Sequence, residues 1–248
     1  MRNISQSSEI GEIMQDFGEA FRVAMQLVAS GNADLVEIIG LSLRVSLSAM
    51  VVSCLIGFPL GAILAISRFP GRGAALVVIN ALMGLPPVVV GLMVYLVLSR
   101  AGPFGWLGLL YSPAAMIIAQ TILITPIIAA LSRQVLEDLH TEYAEQFRSF
   151  CVPTQGVIAA LIWDARYSLL TVALAGFGRA VAEVGAVIVV GGNIDHLTRV
   201  MTSAIALETS KGDLPLALAL GVVLLAIALA VNALVMALRS TAQRYAYA

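Results

Sequence analysis

The sequence predicts an all-α integral membrane protein, and three observations predict it. Hydrophobic residues fill 60% of the 248 positions and charged residues only 12%, where a soluble domain carries about 25% charged residues. Too few charges remain to cover a water-facing surface, so lipid must solvate much of the chain. Mean hydropathy is +0.95. Five stretches reach the roughly 20 apolar residues that about 30 Å of hydrocarbon demands: Val45 to Ile66, Gly73 to Ser99, Pro113 to Ser132, Tyr167 to Gly192 and Leu214 to Leu238. They are Val/Leu/Ile/Ala runs without the two-residue alternation of an outer-membrane barrel strand.

The elements follow in chain order. From Glu9 to Ser30, apolar Ile13, Phe17, Phe21, Ala24 and Val28 recur at helical spacing, interrupted by Glu12, Asp16, Glu19 and Arg22. Residues 1–34 therefore read as an amphipathic helix on the membrane surface, with a short or tilted sixth span as the alternative. No basic region followed by an apolar core and a cleavage site marks a signal peptide there. Residues 35–238 form the membrane domain, with five core transmembrane helices and a polar loop at about 134–166, and residues 239–248 form a cytoplasmic tail. Placing that loop inside also puts Arg68, Arg72, Arg239 and Arg244 inside, and leaves Arg2, Arg22, Arg100, Arg199 and Lys211 outside. The bias follows the positive-inside rule and puts the N-terminus outside.

Several function classes drop out. A net charge of -1 with no basic tail gives no case for nucleic-acid binding. Cys54 and Cys151 make neither a disulfide framework nor a metal cluster. Lys211 is the sole lysine, so no G-x-x-x-x-G-K-[ST] phosphate loop exists, and His140 and His196 stand alone without zinc-protease or serine-hydrolase spacing.

Three features carry chemistry. Pro86 and Pro87, within Gly84-Leu85-Pro86-Pro87, must kink or unwind the second span, either as a packing kink or as a bend lining a pathway. Thr125-Pro126 in the third span poses the same question. Arg179 and Glu183 lie four residues apart inside the fourth span, where each charge costs about 2.5–3.5 kcal/mol on insertion scales. Each is the other's nearest partner, either as a structural ion pair or as a pathway group that meets a passing anion. Arg44, near its span's outer end, can snorkel. The polar loop mixes charges with Phe147, Phe150, Val157 and Ile158, as short helices against a partner or a solvated hairpin would.

The segment Glu145-Gln-Phe-Arg-Ser-Phe-Cys151 resembles the E-A-A-x-x-x-G loop of ABC importer permeases, with Cys151 in place of the glycine and Gln146-Phe147 in place of the alanines. Gly178-Arg-Ala-Val-Ala-Glu-Val-Gly-Ala186 followed by Gly191-Gly-Asn-Ile194 resembles the R-A-x-x-E-x-G-A…G-N-I signature of molybdate, sulfate and tungstate permeases. Leu85-Pro-Pro-Val-Val-Val-Gly91 is similar to their L-P-P-x-V-x-G segment. Within that group, Thr198-Arg-Val-Met-Thr202 and Ala206-Leu-Glu-Thr-Ser-Lys-Gly212 most resemble tungstate permeases.

The resemblance implies a type I ABC importer permease fold in a prokaryotic inner membrane and passage of an oxyanion, most like tungstate, with molybdate or sulfate as alternatives. It implies a homodimer, a cytosolic ATP-binding subunit that holds ATP and Mg, and an extracytoplasmic oxyanion-binding protein. This chain would bind no cofactor and hydrolyse nothing itself. Glu145, Arg148, Phe150, Cys151, Val152 and Pro153 would couple to the ATPase, and Pro86, Pro87, Arg179 and Glu183 are pathway candidates. Cys151 carries a Cβ and avoids positive φ, so helical or turn geometry is expected there, with the bend at Val152-Pro153. A secondary anion transporter, the competing class, commonly shows internal repeats with matched broken helices, and none is evident.

Overall fold

The computed structural model describes residues 18, 21–67 and 69–246, with side chains as far as residue 237. All its regular elements are helical. Most of the expected N-terminal amphipathic helix, Arg68, the side chains of the expected 239–248 tail and its last two residues lie outside the described residues. Residues 21–30 are helical, and Ala24 is buried with Leu27 and Val28 packed beside it, while Phe21 stays exposed.

The first long helix, α1 (Ala33–Ile66), starts where Asn32 accepts from the backbone N–H groups of Asp34 and Leu35 at 3.0 and 3.3 Å, satisfying donors the first turn leaves free. It begins well before the expected Val45. Its buried face is a stripe of small residues, Ser42, Ser46, Ala49, Ser53, Gly57 and Gly61, turned toward α4 (Pro113–Glu142). A Cβ on Gly57 would lie 2.8 Å from Ile128 Cγ2, and one on Gly61 2.8 Å from the Ala129 carbonyl. In lipid, packing rather than the hydrophobic effect drives helix association, and small residues permit the close approach.

The second stretch divides into α2 (Arg72–Met83) and α3 (Pro87–Leu98), bent by 99° at the two prolines. Pro87 opens α3 at N1, where its missing N–H removes no helix bond. No residue of α2 is buried, whereas α3 packs Val90, Gly91, Val94 and Leu98 inward. A Cβ on Gly91 would meet Ala186 Cα at 2.8 Å.

Helix α4 runs through the charged residues to Glu142, so residues 134–142 extend a span instead of opening the polar loop. Arg133 pairs with Glu137 one turn on, and Arg72 donates to Glu137 at 2.7 Å and to the Leu64 carbonyl at 2.7 Å. These bonds bind the ends of α1 and α4 to the start of α2. The Thr125 hydroxyl donates to Thr121 O at 2.7 Å beside Pro126.

The connection then forms α5 (Ala144–Ser149) and α6 (Thr154–Asp164), and α6 bends by 68° into α7 (Arg166–Val181). The fourth stretch is not one helix: α7 ends at Val181, and α8 (Gly185–Gly191) starts beyond Ala182-Glu183-Val184. No proline marks that break. Helices α9 (Met201–Lys211) and α10 (Leu214–Ala246) close the chain, parted by Gly212 at φ +84°. Among the described residues three helices are long and apolar enough to cross a membrane, and up to five spans result if each bent pair is one span.

Candidate functional site

The two helix breaks meet. A Cβ built on Gly185 would lie 2.7 Å from Val88 Cγ2, 3.5 Å from Val88 N and 3.8 Å from Glu183 Oε1. The first turn of α3, just past Pro86 and Pro87, thus shares its space with the Glu183 carboxylate.

Arg179 and Glu183 form the expected ion pair, Nη1 to Oε2 at 2.6 Å, but the partners differ in setting. The Glu183 side chain is 4% exposed and that of Arg179 is 39% exposed. Glu183 Oε1 accepts from the Ala186 N–H at 3.2 Å, so the same carboxylate caps α8. Thr202 donates to the Glu183 carbonyl at 2.9 Å. Gln120 donates to the Ala180 carbonyl at 3.1 Å, satisfying an end-of-helix acceptor of α7. Beside Glu183, the residues Ser42, Ser46, Gln120 and Thr202 line a small interior cavity. The Gln120 Oε1 there has no hydrogen-bond partner among the described residues. Sequence reasoning passed over Gln120, although a single amide within Ala119–Ile124 was a readable signal.

The loop after α8 is held by its own polar groups. Thr198 donates to Gly191 O at 2.5 Å and accepts from Ile194 N at 2.9 Å, and Ser203 donates to Asn193 Oδ1 at 2.9 Å. Gly192 takes φ +70°, and a Cβ there would meet Tyr111 Cδ1 at 2.8 Å. His196 reaches back to Glu37 at 2.9 Å, and that carboxylate raises its pKa above the ordinary value.

In the coupling candidate, Glu145, Arg148, Cys151 and Pro153 are exposed, and Phe150 is 78% exposed. The expected geometry of Cys151 is wrong: it sits at φ +49°. The reason lies in how α5 ends. Cys151 N donates to Arg148 O and Val152 N donates to Phe147 O, both at 3.1 Å. These are the paired bonds of a Schellman cap, which needs a left-handed residue at the position Cys151 fills. The bend is therefore at Cys151 itself, and Val152 and Phe147 turn into the cluster of Leu136, Val157 and Leu161. The cap leaves Phe150 pointing free.

Comparison with known proteins agrees with this organisation. A family described as the binding-protein-dependent transport system inner membrane component matches residues 57–243. The tungstate uptake system permease protein TupB of Peptoclostridium acidaminophilum is 39% identical over 91% of this chain and 99% of its own length. A probable anion ABC transporter permease protein of Haloferax volcanii is 40% identical over 81% of this chain and 88% of its own. TupB of Campylobacter jejuni is 35% identical over 66% and 69%. Broken spans and this match along most of the length lead to one conclusion: the chain belongs to the family of multi-pass inner membrane components of binding-protein-dependent ABC importers.

Proposed function

We propose that this chain forms the translocation pathway of an ATP-driven importer for an oxyanion, and that the ion is tungstate. The relatives suggest the ion, since two tungstate uptake permeases match it. One geometric observation carries the pathway: Arg179 stands partly open while its partner Glu183 is sealed inside. Only Nη1 is committed to Glu183, so other guanidinium N–H groups remain for a tetrahedral dianion. A passing ion must also leave, and one partly neutralised arginine suits that better than a closed cage.

A second copy of this chain supplies the facing wall, so the working unit is a homodimer. ATP and Mg bind a separate cytosolic subunit, which docks on Glu145, Arg148, Phe150, Cys151, Val152 and Pro153 with Phe150 as the apolar anchor. An extracytoplasmic binding protein delivers the ion.

The complex reconstituted with its ATPase and binding protein tests the reading. Tungstate stimulates ATP hydrolysis at concentrations where sulfate does not, and the isolated chain hydrolyses none. Equal stimulation by sulfate would refute the ion, and hydrolysis by the contaminant-free chain alone would refute the role.

A further inference from the structure

Tyr143 joins α4 to α5, its backbone N–H closing α4 on the Leu139 carbonyl, and its hydroxyl donates to Asp164 Oδ2 at 2.8 Å, across 21 residues of chain. Asp164 is the last residue of α6, where the chain turns by 68° into α7. The carboxylate raises the Tyr143 pKa above its ordinary value. The ring of Tyr143 also stands edge-on to Phe147, with centroids 6.0 Å apart. On the far side of the bend, Arg166 donates to the Trp163 carbonyl at 2.6 Å and lies over the rings of Trp163 and Tyr167. The bend is therefore braced on both sides, and among the described residues the side-chain hydrogen bond that ties it to the start of α5 is the one from Tyr143.

We propose that the Tyr143–Asp164 hydrogen bond is a strut that carries displacement of α5 into the α6–α7 bend, and so toward Arg179 and Glu183 at the far end of α7. The proposal rests on α5 and Phe150 being the ATPase docking segment. Without the strut, motion of α5 must pass through apolar contacts of Phe147 and Val152, which slide more readily than a directed bond. Tyr143 is thus a positioning residue, acting on the pathway through α7.

The test uses the full reconstituted complex and measures tungstate taken up per ATP hydrolysed. Tyr143→Phe keeps the ring on Phe147 and removes only the hydroxyl. The complex should assemble, hydrolyse ATP and unfold at the same temperature as the parent, while ions per ATP fall by about tenfold, the scale of a lost hydrogen bond to a carboxylate. Asp164→Asn, with Tyr143 intact, retains an acceptor oxygen and should keep most of the parent's ratio. The double variant Tyr143→Phe/Asp164→Ala should be no worse than either single change. A parental ratio in Tyr143→Phe, or loss of ATPase association in that variant, overturns the strut. Phe150→Asp separates the layers: if the ATPase still co-purifies with it, the docking assignment itself is wrong.

Discussion

Two arginine–glutamate pairs with the same four-residue spacing behave differently in this molecule. Arg133 and Glu137 extend α4 into a polar region, with side chains 25% and 34% exposed and Arg72 as a third member. Arg179 and Glu183 span the break between α7 and α8, with the carboxylate buried and bonded to a backbone N–H as well. Spacing alone therefore says little about worth. Water reaches both members of the first pair, which lowers its worth, whereas only the arginine of the second is open to it. The second lies where charges lose hydration, and breaking such a pair costs several times more.

The largest expected effect is at Glu183. Glu183→Ala strands Arg179, uncaps α8 and should cost about 3 kcal/mol, the low end for a buried pair because Arg179 is partly open. Folded yield and thermal midpoint in detergent measure it, and Arg179→Ala/Glu183→Ala should cost less than the two single losses added. Additive losses would mean that the two pairs do not differ in kind. Cys151→Gly comes next and should gain about 1 kcal/mol, because the left-handed position then carries no Cβ. A fall in thermal midpoint would contradict the cap geometry. Glu137→Gln should cost less than Glu183→Ala, because both of its arginine partners and the carboxylate itself keep contact with water, and a loss as large as that of Glu183→Ala would erase the contrast.

The smallest effect marks the fully solvated limit. The His196–Glu37 pair raises the histidine pKa, so its stabilisation is complete below the unfolded value and fades as pH rises through the folded one. The thermal midpoint difference between the parent and Glu37→Gln should accordingly shrink from pH 5.5 to pH 8.5. A difference that grows with pH has the wrong sign.

Much of the membrane domain was legible because lipid imposes it. Apolar length found the third and fifth stretches within single helices and the first within a longer one, and Pro86-Pro87 placed the α2–α3 bend, since proline acts locally. The break at Ala182-Glu183-Val184 was not legible, because tertiary contacts make it: Glu183 caps α8 and Gly185 fits against Val88. The end of α4 was misplaced for a related reason, as Arg133 and Glu137 neutralise each other along the helix and Arg72 joins from another element. Cys151 was misjudged by weighing its intrinsic preference above the cap that Phe147, Arg148 and Val152 build around it. Arg179 and Glu183 were found from charge at depth, but their unequal burial was invisible in one dimension.

Under the proposed function, that inequality leaves Glu183 to the fold and gives Arg179 to the passing ion, and Arg179→Gln tests the division most directly. Glutamine keeps an N–H donor for Glu183 and removes the positive charge. Measured as tungstate uptake by the reconstituted complex, the variant should still assemble, with a thermal midpoint lowered because the buried Glu183 carboxylate loses its cation, hydrolyse ATP and lose most of its transport. Parental uptake in a normally folded Arg179→Gln complex would contradict the account and leave the pair as a structural pin.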